Sequence, residues 1–556
     1  MKEQRNKKII VLFMTLVLSI GTILTGCGGK ETPSGEAVPS EAAPSEEAQE
    51  PADGEEAQEP EEEKTFVYGL ASAWTSLMPY SQSAGGYYSG LVADKIFDKL
   101  VVTRSDGTVT PRAAKSWELS ADGLSLTLYL DENSKWHDGE PVTAQDWVWT
   151  FQTLSKPEIV NSDKANFDVL TGVDASGNEE SENSIGVEAT DDYTLVLHFK
   201  EAQDLTHFFF SRSKNYIVLP KHLLQDVPLE SFLEDEFWLS PVGSGPCIFE
   251  SEVTGSELVL KANPDYQLGA PDFDTLIIRV VDPSNMLTSL STGELDYAYP
   301  YLSTEEALSM EGNEAVTVTK SDDPLQLYAV WISNVKVSDS KLRLAIDYAV
   351  DKELICQSLF DGDAVPSTNY ITPTSSYFNQ AVAHGRDVEK AKALLAESSY
   401  GGETLVLSAP AGIRADMAVI IQQNLEEAGI HTEIISTDTT TMFADLRANT
   451  LDMGIGTYGT SLDPLCLDTF FDSTKTTFIN CTDPAFLEKQ KEILAEQDQD
   501  KKLQLIYDYQ VYMEEYSPFI SVCHTYSYVI NSSRVSSFNG MDTSRYNDCV
   551  WEWKVN

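Results

Sequence analysis

Positive charge is scarce in this chain. Its 556 residues carry 38 Lys and Arg against 88 Asp and Glu, a formal net charge of −50. Binding to a phosphate backbone needs clustered cations, so this balance argues against a nucleic acid partner. It argues equally against a polybasic membrane-binding surface. Histidine is sparse as well: seven residues, His137, His198, His207, His222, His384, His431 and His524, with no metal-ligand spacing. None of the seven cysteines forms a C-x-x-C pair, which removes zinc-ribbon and thioredoxin-type readings. G-x-S-x-G, H-E-x-x-H and G-x-x-x-x-G-K-[ST] are all missing, and no internal repeat is visible. No metal and no cofactor is expected. The longest apolar run, residues 9–24, has 16 residues and is short for a transmembrane helix.

That run has an address-like context. Lys2, Arg5, Lys7 and Lys8 precede it, and Leu24-Thr25-Gly26-Cys27 follows. A charged n-region, a short apolar region and small residues before a cysteine describe a secretory signal peptide over residues 1–27. The tetrad resembles a bacterial lipobox, which implies cleavage before Cys27 and lipidation of its sulfur. Residues 28–64 hold 13 acidic residues, two lysines and no aromatic residue. Such a segment buries too little apolar surface to offset the entropy of ordering, so it reads as a disordered, extended acidic tether. Residues 65–556 then carry a net −42. Cys247, Cys356, Cys466, Cys481, Cys523 and Cys549 are expected to be mostly reduced, buried thiols, since a body this large needs no staples.

The 42% hydrophobic content supports a sizeable core, and the length implies two or three domains. Residues 124–130 alternate Leu-Ser-Leu-Thr-Leu-Tyr-Leu, the period-two pattern of a half-buried strand. Residues 194–199, 257–262, 275–281 and 295–299 read as further strands, and 284–291 and 304–310 as helices. Between 339 and 455, helices capped by Asp339 and Asp387 alternate with short strands, and Gly429 stands where a helix C-terminal glycine belongs. A β-α-β-α-β run implies an α/β domain with a parallel sheet. Without Pro/Gly/Ser linkers, the chain should cross back and forth between lobes hinged around a cleft.

Gly454-Ile455-Gly456-Thr457-Tyr458-Gly459 matches the dinucleotide fingerprint but leads into Thr460-Ser461-Leu462-Asp463-Pro464, not a helix. Its glycines are expected to let something approach the backbone closely. His137-Asp138 belongs to a turn, Trp136-His137-Asp138-Gly139, and reads as structural. Tyr87, Tyr88, Tyr297, Tyr299, Tyr301, Trp331, Tyr458 and Tyr526 fall at expected strand ends or loops, where aromatic rings suit the walls of a partly polar, partly apolar ligand site.

One stretch is more specific. Ala114-Lys115-Ser116-Trp117-Glu118-Leu119-Ser120-Ala121-Asp122-Gly123, then Lys135-Trp136-His137-Asp138-Gly139-Glu140-Pro141-Val142-Thr143-Ala144-Gln145-Asp146-Trp147, resembles the signature of family 5 solute-binding proteins. Asn263-Pro264-Asp265-Tyr266, Gly293-Glu294-Leu295-Asp296, Leu342–Lys352 and Asp463-Pro464 follow in the family's order. The resemblance implies a periplasmic-binding-protein-like α/β fold of type II in its three-domain variant. Domain I would comprise 65–102, 223–322 and 519–556, domain II 103–222, and domain III 323–518. It implies no catalysis. The chain would act as a monomeric, lipid-anchored receptor on the extracytoplasmic face of the cell membrane. It would capture an oligopeptide and deliver it to an ABC permease powered by a partner ATPase. Thr457, Tyr458, Gly459 and Thr460 match the domain III strand that pairs with the ligand backbone, and Gly85, Gly86 and Tyr87 the facing segment. Thr460 stands where peptide-binding members usually carry an Asp for the ligand's ammonium. Asp131-Glu132 likewise departs from the family's basic pair. The alternatives are a non-peptide ligand on the same receptor, such as a nickel chelate or a saccharide-like solute, and a surface hydrolase or adhesin on the same scaffold.

Overall fold

The computed structural model describes residues 63–80, 86–161, 163–213, 216–299, 304–473, 475–538 and 549–556. The expected signal peptide, Cys27 with its expected lipidation and nearly all of the expected acidic tether lie outside the described residues, as do Gly85 and Tyr301. Among the described residues, no helix is long and apolar enough to cross a membrane.

Three sheets organise the body. The first has seven strands in the spatial order Val316–Lys320, Tyr528–Ser532, Tyr297–Tyr299, Thr65–Leu70, Thr275–Val280, Glu257–Ala262 and Cys247–Val253. Thr65–Leu70 lies parallel to both of its neighbours. The second has six strands in the order Ala364–Pro366, Phe519–Thr525, Gln326–Ile332, Met453–Gly459, Leu405–Ser408 and Thr432–Ile435. The third is a four-stranded antiparallel sheet of Ala114–Leu119, Ser125–Leu130, Thr194–His198 and Val187–Asp191.

The strands follow from their alternation. In Ser125–Leu130 the three leucines are buried and the residues between them are not. Helix boundaries follow from caps. Asp339 accepts from the Lys341 amide and Asp387 from the Lys390 amide. At Ala144–Leu154, Thr143 and Asp146 form a reciprocal capping box. Gly429 ends Ile413–Ala428 with φ of 90°, a conformation that costs glycine little.

The apolar cores separate into two groups. One continuous cluster covers a face of the first sheet through Phe66, Tyr68, Leu258 and Leu260, and runs on into Leu126, Leu128, Leu195 and Leu197 of the third. The second sheet has its own cores: Val330, Ile332, Ile455 and Val522 on one face, and Leu327, Ala329, Trp331 and Phe519 on the other. The first and third sheets therefore form one apolar body, and the second sheet with its helices forms another. The chain passes from the first body to the second at 321–325, between strands Val316–Lys320 and Gln326–Ile332, and returns at 526–527, between Phe519–Thr525 and Tyr528–Ser532.

Two expectations need correction. Residues 519–556 were expected to belong to domain I together with 65–102 and 223–322, which supply most of the first sheet. Phe519–Thr525 instead pairs with Gln326–Ile332 in the second sheet, and its fully buried pattern reflects cores on both faces. Tyr87 and Tyr88 were expected at a strand end or loop, but Gly86–Ile96 is a helix.

Candidate functional site

The G-x-G-x-x-G run lies on a strand, Met453–Gly459, near the middle of the second sheet. Gln326–Ile332 pairs antiparallel along its whole length, from Ile332 opposite Met453 to Gln326 opposite Gly459. On the other side, Leu405–Ser408 pairs only with Met453 and Gly454. Residues 455–459 thus run on past the end of the parallel neighbour. A strand segment that outruns its neighbour is the geometry to which an extended backbone adds by main-chain hydrogen bonds.

Two of the glycines have a different purpose from the one expected. A Cβ on Gly454 would lie 2.8 Å from Met442 Cγ and Sδ, and one on Gly456 would lie 2.7 Å from Phe443 Cζ and 2.9 Å from Trp331 Nε1. Met442 and Phe443 belong to helix Thr439–Arg447, which packs directly on the strand. What needs room at these two positions is the protein's own side chains.

Thr457 and Tyr458 are half-buried. The Tyr458 ring meets Phe470 edge-on at 5.0 Å and Trp331 at 6.2 Å, so it forms the margin of an aromatic cluster. Trp331 is fully buried and stacks on Phe519 at 5.0 Å. The expectation that Trp331 walls a ligand site is corrected: it is a core residue, buried because Gly456 makes room for it. Thr460 is also buried, and both its amide and its hydroxyl donate to the Leu325 carbonyl, at 2.8 and 2.9 Å. Tyr299 is buried in the first sheet, where its carbonyl accepts from the Ala71 amide. Tyr526 sits in the return crossing, with the Lys320 ammonium 3.7 Å from its ring centroid. The half-buried Tyr88 packs on the core of the first body, and burial pushes its phenol pKa up. The structure therefore brings Thr457, Tyr458, Gly459 and Thr460 together on one strand end, with Tyr526 in the crossing and Tyr299 in the other sheet.

Sequence reasoning passed over a buried charged cluster. The His207 Nδ1 lies 2.9 Å from Asp463, its Nε2 lies 3.5 Å from Asp468, and Arg212 donates to Asp468 at 2.8 Å. His207 and Asp463 are 256 positions apart, and no local motif could signal their meeting.

A family model described as bacterial extracellular solute-binding proteins, family 5 middle, matches residues 108–478. The chain belongs to this family. A Brucella ovis protein whose name places it among ABC transporter peptide-binding proteins is 30% identical over 338 residues, covering 59% of this chain and 60% of that protein. The match thus spans about three fifths of that relative's length. Heme-binding protein A of Haemophilus influenzae is 26% identical over 506 residues, 85% of this chain and 89% of that one. Among solved structures, the ABC transporter substrate-binding protein CtaP of Listeria monocytogenes superposes with a TM-score of 0.75 at 20% identity, covering 88% of this chain and 99% of that one. This fold match places the family 5 chain among periplasmic-binding-protein-like α/β folds. Family 5 proteins are extracellular solute-binding proteins.

Proposed function

We propose that this chain is the substrate-binding component of an ABC importer, capturing an oligopeptide outside the membrane and handing it to the permease. Lipid on Cys27 would anchor it, and residues 28–64 would tether the binding body above the surface. The first and third sheets would act as one lobe, domains I and II, and the second sheet as the other, domain III. The ligand would lie extended along 457–460, gaining sequence-tolerant affinity from main-chain hydrogen bonds. Tyr458, Tyr299, Tyr526 and the Gly85-Gly86-Tyr87-Tyr88 segment would border it. No bond in the ligand would be made or broken, and ligand binding would shift an open–closed equilibrium.

The observation that carries this reading is the strand Met453–Gly459 outrunning Leu405–Ser408 in a chain of this family. Native mass spectrometry of the purified protein tests it. A ladder of co-purified peptide masses is the expected result, and a single non-peptide mass would overturn the peptide assignment. A second reading, a non-peptide ligand on the same receptor, is favoured by one observation. Thr460 is neutral and its hydroxyl is already donated to Leu325. A heme-named relative in the family is consistent with that breadth.

A further inference from the structure

Among the described residues the two apolar bodies share no apolar cluster, yet they meet away from the crossings through a concentrated polar contact. Four cation–anion pairs in it take one partner from 163–212 and the other from 463–502. Arg212 pairs with Asp468 at 2.8 Å, Lys475 with Asp168 at 3.2 Å, Lys491 with Glu201 at 2.9 Å and Lys502 with Asp204 at 2.8 Å. At the centre is His207, its side chain 3% exposed, between Asp463 and Asp468. Ser211 adds an O–H donor to Asp463 at 2.9 Å. A cavity of about 270 Å³ lined by Asp168, His207, Arg212, Asp468, Lys475 and Gln490 adjoins them. His207 ends the short helix Leu205–His207, and the chain continues as a π-turn, Phe208–Arg212. That wider turn sets Ser211 and Arg212 toward the same two aspartates.

We propose that these contacts are a proton-dependent closure latch, centred on His207, which biases the receptor toward its closed form before ligand arrives. The inference rests on the two-lobe reading of the fold above. A histidine between two carboxylates is held charged only while the lobes are together. When they part, Asp463 and Asp468 leave with the second body, and His207 returns to water. The groups facing His207 are Asp463 and Asp468 from the second body and Asp204 from its own helix cap, with Arg212 and Lys502 compensating the carboxylates. Tyr370, Tyr377 and Tyr509 are titratable neighbours of the same carboxylates, and burial pushes all three phenols up, away from the range in question.

Burial opposes charge on His207, but Asp463 and Asp468 outweigh it and raise its pKa to about 10. A histidine in open solvent titrates near 6.5. Closure therefore takes up a proton between these values. The latch is complete below the open-state value and is lost as pH rises through the closed-state one. From pH 6.5 to pH 9 the closed-to-open ratio should fall about a hundredfold.

The test uses the full chain in detergent, freed of ligand by unfolding and refolding. Spin labels at Val160→Cys and Val419→Cys, exposed sites on the two bodies, report the distance between lobes. The expected result is a short distance at pH 6.5 and a longer population at pH 9, a shift abolished in His207→Gln. A pH-independent distance in the wild type, or an equal shift in His207→Gln, overturns the latch. A second pair of variants guards against misfolding at the buried histidine. Lys475→Glu should open the protein at pH 6.5, and adding Asp168→Lys should restore closure; failure of both also overturns it. A tryptic peptide pool added at pH 9 separates this inference from the receptor reading. Closure by peptides without any pH response rejects the latch alone. A His207-dependent pH response without a peptide response upholds the latch and rejects the peptide assignment.

Discussion

Thr460 donates twice to one acceptor: its amide and its hydroxyl both reach the Leu325 carbonyl, at 2.8 and 2.9 Å. This pins the end of strand Met453–Gly459 to the residue just before strand Gln326–Ile332. It also commits the one polar group that could face a ligand's amine at this position. The acidic residues further along are committed too. Asp463 accepts from His207, Ser211 and the Leu465 amide, and Asp468 accepts from Arg212. An N-terminal ammonium therefore finds no spare carboxylate on this segment. N-acetylation of a bound peptide should change Kd by less than the roughly tenfold that losing a charge-assisted hydrogen bond costs. Calorimetric titration with a free and an acetylated peptide of one sequence measures it. A larger loss on acetylation would require an acidic partner elsewhere.

Gly456 offers a stability test. Its absent Cβ is the space that Phe443 Cζ and Trp331 Nε1 occupy, and both rings are held by neighbours. Gly456→Ala should destabilise by about 1–3 kcal/mol, the usual cost of overpacking. Gly385→Ala, whose new Cβ would meet only Glu353 Oε1 at 3.5 Å, should be near neutral. Chemical denaturation of both variants compares them. Equal midpoints would mean that helix Thr439–Arg447 yields freely.

Local patterns in the sequence carried the elements and, with the family blocks, the architecture. Alternation placed Ser125–Leu130, and Asp339, Asp387 and Gly429 placed helix ends, because each signal lies within a few residues of what it controls. Phe519–Thr525 was grouped with domain I rather than with strand Gln326–Ile332, because a strand buried on both faces has no alternation and names no partner. Gly454 and Gly456 read as ligand clearance because the helix that fills the space lies on the far side of a turn. Trp331 was drawn to the ligand site by residue type alone, and only packing shows it to be core. The ion pairs of His207 and Arg212 were unreadable because both partners lie more than 250 positions away.

Trp331 can be separated from binding directly. Its indole Nε1 has no hydrogen-bond partner, so Trp331→Phe leaves no polar group stranded. The smaller ring opens a cavity among Phe478, Phe519 and Tyr458. The expected loss is about 1–3 kcal/mol of stability, smaller than for truncation to alanine. Ligand Kd should stay within about twofold, because a fully buried ring removes no ligand contact. Thermal unfolding and titration on the same preparation measure both. A binding loss exceeding the stability loss would return Trp331 to the ligand site.

The first body carries a charged core of its own. Arg112 is fully buried and bonds both Asp94, at 3.0 Å, and Asp98, while Lys99 also reaches Asp94 at 2.7 Å. Burial works against the Asp94 carboxylate, but Lys99 and Arg112 outweigh it and hold its pKa below the ordinary value. For Asp98 burial wins, and its pKa is raised despite Arg112. Replacing Arg112 with Met removes the cation and leaves Asp98 with only neutral donors, Tyr266 and Gln267. The loss should be about 3–5 kcal/mol near pH 7, the usual cost of stranding one partner of a buried pair. Its pH dependence should run opposite to the wild type's contribution from Asp94. That depressed carboxylate stabilises the wild type above its unfolded value of about 3.8 and ceases to do so as acid protonates it. In Arg112→Met the stranded Asp98 has a folded pKa raised further, so the variant should recover stability as pH falls from 7 toward 5. Denaturation midpoints at the two pH values measure the recovery. A variant equally destabilised at both would show that Asp98 stays ionised without Arg112.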